Sequence, residues 1–136
     1  MRRALTRFGA AAIIALAGVV PTQAVSHAEP AGHQVRYTVT STLEAGFDIY
    51  YLVTEAPSRD AVNADPNAFL RNERVTIVPG APWVFETTLK DTQWAIITAS
   101  SAFRYAPNPH CDITVDGQVV AQQDGLSGVQ CQLRPW

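Results

Sequence analysis

Apolar and polar residues alternate with a period of two through most of the chain after residue 34. In residues 35–39 and 47–53, every second side chain is apolar. Such alternation over short runs rich in Val, Ile, Thr and aromatic residues is typical of β-strands with one buried face. Further runs begin near Val75, Trp83, Trp94, Cys111, Gln118 and Val129. About eight short strands bounded by turn residues predict an antiparallel β-sandwich or barrel.

The segment 55–72 interrupts this alternation. Asp65 followed by Pro66 could begin one helical turn, because Asp is a preferred N-cap and Pro is favoured at the first helical position. A long loop that is anchored on the core by Phe69 and Leu70 is the favoured interpretation.

The first 28 residues have the layout of a secretory signal peptide. Three arginines precede an uninterrupted run of 13 apolar residues and glycines at 8–20, and small residues surround Ala28. A membrane-spanning helix needs about 20 apolar residues, so cleavage after Ala28 is expected. The chain then consists of a signal peptide, 1–28, and one domain, 29–136, that is secreted or held in the cell envelope or periplasm. Retention by an uncleaved N-terminal segment is the alternative.

Charge excludes one class of partner. Residues 29–136 carry seven Lys or Arg and twelve Asp or Glu, a net charge of −5 with neutral His. A surface of this sign repels nucleic acid and anionic lipid. We therefore expect no nucleic-acid partner.

The two cysteines predict a structural disulfide. Cys111 and Cys131 share the parity of their apolar neighbours, which places both sulfurs on the buried face. A cysteine pair in an exported chain favours a disulfide over free thiols, and two thiolates alone rarely complete a zinc site. Between the cysteines, Asp116-Gly117 predicts a tight hairpin turn, and residues 125–128 predict another.

No catalytic or metal-binding motif emerges. His33 and His110 are the only imidazoles after residue 28, and no Gly-x-Ser-x-Gly motif is present. Asp112 and Asp116 lie four residues apart on one strand, about 13 Å, which is wider than the carboxyl pairs of glycosidases. We expect a protein that is not an enzyme and that binds no metal or cofactor.

The aromatic residues indicate a contact surface. Tyr50 and Tyr51 are adjacent in a strand, so one of them faces away from the core. An exposed tyrosine is a hint of a recognition surface, and Phe103 and Tyr105 follow in a nearby loop. Tyr50, Phe103 and Tyr105 are therefore the candidate contact residues. Other aromatic residues alternate inward and are expected in the core: Tyr37, Phe47, Trp83, Phe85 and Trp94.

Several motifs resemble the MmpS family of mycobacterial envelope proteins. They are Val35-x-Tyr37-x-Val39, the Pro82-Trp83 dipeptide, and Cys111-x-Ile113-x-Val115-Asp116-Gly117 with a second cysteine at Cys131. The resemblance implies a disulfide-bonded β-sandwich outside the membrane, and we expect an immunoglobulin-like one of about seven to eight strands.

Functionally, the resemblance implies an accessory partner of MmpL transporters of the resistance-nodulation-division class, which export siderophores and complex lipids. Members of the family usually keep an N-terminal membrane helix, whereas this chain has a signal-like segment. A stand-alone secreted carrier of a lipid or siderophore-like molecule is the alternative.

Overall fold

The computed structural model describes residues 32–101 and 106–134. Within them, antiparallel strands form two four-stranded sheets. The strands are β1 (His33–Thr40), β2 (Ala45–Leu52), β3 (Leu70–Ile77), β4 (Trp83–Leu89), β5 (Ile96–Ser100), β6 (His110–Val115), β7 (Gln118–Asp124) and β8 (Gly128–Gln132). One α-helix, α1 (Arg59–Ala64), and two 3-10 helices, Pro66–Ala68 and Thr92–Trp94, complete the described part. The predicted all-β sandwich is confirmed.

Sheet A has the strand order β4-β1-β6-β7, and sheet B has the order β3-β2-β5-β8. This order departs from the immunoglobulin arrangement, in which the first two strands share a sheet, because β1 and β2 here lie in opposite sheets. The predicted hairpin turn at 125–128 is wrong, because the two strands that flank it do not pair with each other. It connects β7 of sheet A to β8 of sheet B, so it is a crossover between sheets.

The segment before β3 does contain a helical turn, but its cap is Ser58. The Ser58 hydroxyl accepts a hydrogen bond from the backbone N–H of Ala61 at 3.1 Å and thereby begins α1. Asp65 makes no side-chain capping bond, although Pro66 does start the following 3-10 helix. The predicted Asp65 cap is therefore corrected to Ser58, earlier in the same segment. None of the helices in the described residues is long and apolar enough to cross a bilayer.

The inward side chains of both sheets form one hydrophobic core. Tyr37 and Phe47 have no exposed surface, and Trp94 is 8% exposed. Trp83 and Phe85 are only half-buried because they lie on β4, at the edge of sheet A. The predicted anchors of the long loop, Phe69 and Leu70, do pack against this core.

The disulfide joins the two sheets. Cys111 on β6 is bonded to Cys131 on β8, and both residues are buried. The predicted disulfide is thus confirmed, and it spans the sandwich rather than the hairpin. That hairpin turns at Asp116 and Gly117, whose φ angles of 49° and 84° fit a type I′ turn.

Candidate functional site

The predicted contact residue Tyr50 lies on the outer face of sheet B. Its side chain is 45% exposed, whereas the neighbouring Tyr51 is 1% exposed. Tyr50 is paired with Asn72 on β3 and with Thr98 on β5. The other two predicted contact residues, Phe103 and Tyr105, lie outside the described residues.

Three loops meet at one end of the sandwich, and we call their described residues, 41–44, 101, 106–109 and 125–127, the loop end. Backbone hydrogen bonds join the described parts of these loops: Thr42 N to Pro107 O (2.9 Å), Asn108 N to Leu126 O (2.9 Å), Gly125 N to Pro109 O (3.0 Å) and Ser101 N to Ser127 O (2.8 Å). Asn108 has a φ of 47°, a left-handed conformation that Asn tolerates better than most residues. The loops are therefore held together by their own hydrogen bonds.

The loop end exposes two large apolar side chains. Leu43 is 49% exposed and Leu126 is 73% exposed. A shallow depression of about 440 Å³ lies beside Leu126 and is also lined by Thr42, Asn108, Asp124 and Gly125. Sequence reasoning missed both leucines. The sequence did contain a signal for them. Each leucine lies in a turn-rich segment between strands, outside the alternating pattern that identifies buried positions.

A row of uncharged polar side chains crosses the outer face of sheet B. The strand registers place Asn72, Tyr50, Thr98 and Gln130 side by side on β3, β2, β5 and β8. Along the β7–β8 side of this face runs an open groove of about 410 Å³. The outer face of sheet A differs, because its central Arg36 forms an ion pair with Glu86 at 2.6 Å.

Each described histidine contacts a surface aspartate. The Nδ1 of His33 lies 2.6 Å from Asp116 Oδ2, and the Nδ1 of His110 lies 2.7 Å from Asp124 Oδ1. The hydrogen bond from His33, with a second from the backbone N–H of Gln34, lowers the pKa of the Asp116 carboxyl. Among residues 32–101 and 106–134, no group of three His, Cys, Asp or Glu side chains is arranged to hold a metal ion.

A half-buried polar network lies between the edge strands β3 and β4. The Glu73 carboxylate accepts hydrogen bonds from Trp83 Nε1 at 2.7 Å and from the Tyr51 hydroxyl at 3.0 Å. Arg71, two residues before Glu73, stands over the ring of Phe85 at 5.5 Å. Glu73 therefore ties the edge strands of the two sheets together.

Aromatic contacts surround this network. The ring centroid of Tyr51 lies 4.9 Å from that of Trp83 and 4.6 Å from that of Phe85. Burial raises the pKa of Tyr51, and its hydrogen bond to Arg71 opposes part of that rise. Sequence reasoning missed Arg71 and Glu73, although both share the inward parity of Val75 and Ile77.

Comparison with known proteins places the fold in a family. The family model of the Rv2576c beta-sandwich domain matches residues 37–131, from the middle of β1 to Cys131. The uncharacterized protein Rv2576c of Mycobacterium tuberculosis (strain H37Rv) is 48% identical over 134 residues, 98% of this chain and 84% of that relative. The uncharacterized protein Mb2606c of Mycobacterium bovis matches with the same identity and coverage. This chain belongs to the Rv2576c beta-sandwich domain family.

Proposed function

We propose that this protein is a non-catalytic, exported binding module of the cell envelope that docks on an envelope protein through its loop end. The observation that carries the proposal is the 73% exposure of Leu126, together with that of Leu43, on loops that are bonded to one another. Exposed apolar side chains on a fixed scaffold are typical of recognition surfaces.

Preorganisation is the physical argument for docking. Binding through mobile loops costs conformational entropy, and loops that are already held together avoid much of that cost. The hydrogen bonds to Pro107, to Pro109 and from Asn108 hold the described end of the 101–109 loop against both of its neighbours. Phe103 and Tyr105 belong to the same loop in the sequence and extend the apolar set that we assign to the contact surface.

The partner that we propose is a transporter of the MmpL class, with a role in siderophore or lipid export. Support comes from the motif resemblance to MmpS proteins. The family model that matches is that of the Rv2576c domain, so the MmpS relationship is part of the proposal.

Export is supported by two features. The disulfide suits an oxidising compartment, and residues 1–28 have the composition of a signal peptide. The proposal places the domain outside the plasma membrane, secreted or retained by its N-terminal segment.

The alternative of a lipid or siderophore carrier is less favoured by the packing. A carrier needs space between the sheets, and that region is filled by side chains with no exposed surface, such as Tyr37, Phe47 and Ile113. Opening it would separate sheets that the Cys111–Cys131 bond holds together.

Capture from detergent-solubilised envelope tests the docking proposal. The tagged full chain is compared with Leu126→Ser, and Val119→Ser is the matched control, since Val119 is 57% exposed on β7 outside the loop end. We expect the full chain and V119S to enrich an MmpL-class transporter, and L126S to capture about tenfold less, a loss of about 1.4 kcal/mol. Equal capture by L126S, or no transporter among the specific partners, contradicts the proposal.

A further inference from the structure

We propose that the outer face of sheet B binds a neutral oligosaccharide along the row Tyr50, Thr98 and Gln130 and in the adjoining groove. This site goes beyond the docking function, because it uses the sheet face rather than Leu43 and Leu126 of the loop end. The proposal rests on the shape of the groove, the chemistry of its lining and the position of one tyrosine ring.

The groove has the extent of a chain of sugars. It occupies about 410 Å³ and is lined by β5, β7 and β8, so it runs from sheet B onto the edge of sheet A. Tyr50 extends it by one strand, since it is paired with Thr98. Two strand spacings separate Tyr50 from Gln130, about 10 Å. A ligand that reaches from the ring to the groove therefore needs more than one sugar unit.

The lining offers hydrogen bonds without positive charge. Its side chains include the hydroxyls of Thr98 and Ser100 and the amides of Gln123 and Gln130, and the described lining includes no Lys or Arg. Such groups both donate to and accept from sugar hydroxyls. The carboxylate of Asp124, which also lines the groove, repels phosphate, sulfate or uronate. A neutral, hydroxyl-rich ligand is the one that this lining fits.

Neighbouring contacts preorganise these groups. Gln123 Oε1 accepts a bond from the Gln130 backbone N–H at 3.4 Å, which leaves the Gln123 amide NH₂ to donate to a ligand. Gln130 Nε2 donates to Gln132 Oε1 at 2.8 Å, which leaves Gln130 Oε1 as an acceptor. His110 holds Asp124 through Oδ1, and Oδ2 can accept from a sugar hydroxyl.

Tyr50 supplies the apolar component. Its ring stands 45% exposed between Asn72 and Thr98. A flat ring with a polar tip suits the C–H face of a pyranose, whose hydroxyls point to the side. The nearest charges on this face, Asp48 and Arg74, lie 4.0 Å apart and offset each other.

Titration with defined sugars tests the site. The ¹⁵N-labelled full chain, with the disulfide formed, receives chitotetraose, cellotetraose, maltotetraose or β-1,4-galactotetraose. We expect saturable amide shifts, for at least one of these, centred on Tyr50, Thr98 and Gln130. Tyr50→Ser and Asp124→Ala should each weaken binding about tenfold. Tyr50→Phe, which keeps the ring, and Val84→Ser, an exposed change on the outer face of sheet A, should stay within about twofold.

The outcomes also separate this site from the docking function. Leu126→Ser should bind the sugar like the parent protein. Absence of shifts with all four sugars, or binding that survives both Tyr50→Ser and Asp124→Ala, overturns the proposal. If Tyr50→Ser loses transporter capture and no sugar binds, the face is a protein interface and the oligosaccharide assignment is wrong.

Discussion

The two lateral sides of the sandwich are closed by different chemistry. On one side, which we call the disulfide seam, Cys111 of β6 and Cys131 of β8 join the sheets covalently. On the other, the aromatic seam, Glu73 of β3 joins the sheets through a hydrogen bond from Trp83 of β4, and it also accepts one from Tyr51 of its own sheet. The first closure depends on one bond and on redox conditions. The second depends on a carboxylate and on two neutral donors, so substitution of any of these three side chains should weaken it.

The aromatic seam also protects two long strands. β3 and β4 are edge strands, and edges with unpaired backbone groups invite pairing with other chains. Inward-pointing charges such as Arg71 and Glu73 are one of the devices that discourage such pairing. On the disulfide side, the edge strands are β7 and β8. β8 is short, and the β6–β7 register shifts between Ile113 and Thr114; both features discourage pairing with another chain.

The largest effect should come from breaking the disulfide seam. We expect Cys111→Ala/Cys131→Ala to lower the free energy of unfolding by about 3 kcal/mol, because the bond closes a loop of 20 residues. Urea unfolding followed by tryptophan fluorescence measures the change. The parent protein treated with reductant should match the double variant, and an unchanged stability in both would mean that the bond does not limit unfolding.

Breaking the aromatic seam should cost less. Glu73→Leu leaves the Trp83 indole N–H and the Tyr51 hydroxyl without their acceptor, and we expect a loss of about 2 kcal/mol. Glu73→Gln keeps one acceptor oxygen and should lose about half as much. Glu86→Gln is the control, because its ion pair with Arg36 is exposed and should contribute less than about 1 kcal/mol. Equal losses for the Glu73 and Glu86 variants would contradict the tie between the edge strands.

Alkaline pH should act on the aromatic seam, where the ring of Tyr37 lies 6.1 Å from that of Tyr51. Burial raises the pKa of Tyr37 and of Tyr51 above the ordinary value of 10.0. The unfolded chain therefore releases these protons first. The contribution of the two tyrosines to stability is constant below about pH 10 and falls above it, by about 1.4 kcal/mol per pH unit for each tyrosine that stays protonated.

Removing one buried phenol should weaken this pH dependence. Tyr37→Phe loses the hydrogen bond to Leu52 O, about 1 kcal/mol at neutral pH, but its stability should fall less steeply above pH 10. Urea unfolding at pH 8 to 11 measures both effects, with Tyr50→Phe as the control for an exposed phenol. A slope that is the same in Tyr37→Phe as in the parent would assign the alkaline loss to other groups.

The smallest effect should come from the β6–β7 turn at Asp116-Gly117, on the disulfide side of sheet A. Gly117 has a φ of 84°, which side chains other than Gly rarely adopt, so Gly117→Ala should cost about 1 kcal/mol. Gly46→Ala is the matched control, since a Cβ at Gly46 meets nothing within 4 Å and its φ is ordinary. Thermal unfolding should separate the two variants by a few degrees, and equal melting temperatures would argue against the type I′ turn.

Local patterns in the sequence predicted the strands and the disulfide. Alternation identifies the buried face of each strand, and Cys111 and Cys131 lie on that face by parity alone. The Asp116-Gly117 pair predicted its turn because few dipeptides tolerate two left-handed residues. These features depend on neighbours in the chain, which a sequence displays directly.

Sheet assignment depends on partners far away in the chain, and there the predictions failed. Residues 125–128 carry hairpin-like glycines, but β8 pairs with β5 in the other sheet, and in that position Val129 and Cys131 are buried. Ser58 and Asp65 both carry capping side chains, and the helix that forms is the one that Ser58 caps and that buries Val62. The exposure of Leu43 and Leu126 also follows from how the loops pack, which alternation does not specify.

The crossover between β7 and β8 gives the disulfide a consequence for proteolysis. Cys111 and Cys131 flank β7 and the exposed Leu126 loop, so a protease that cuts anywhere between them leaves two fragments that remain covalently joined. The C-terminal piece stays attached to β6, a central strand of sheet A. Limited digestion should therefore give a nicked species of unchanged mass, apart from one added water, that separates only after reduction. Where proteases are abundant, the disulfide would therefore keep the clipped domain in one covalent piece.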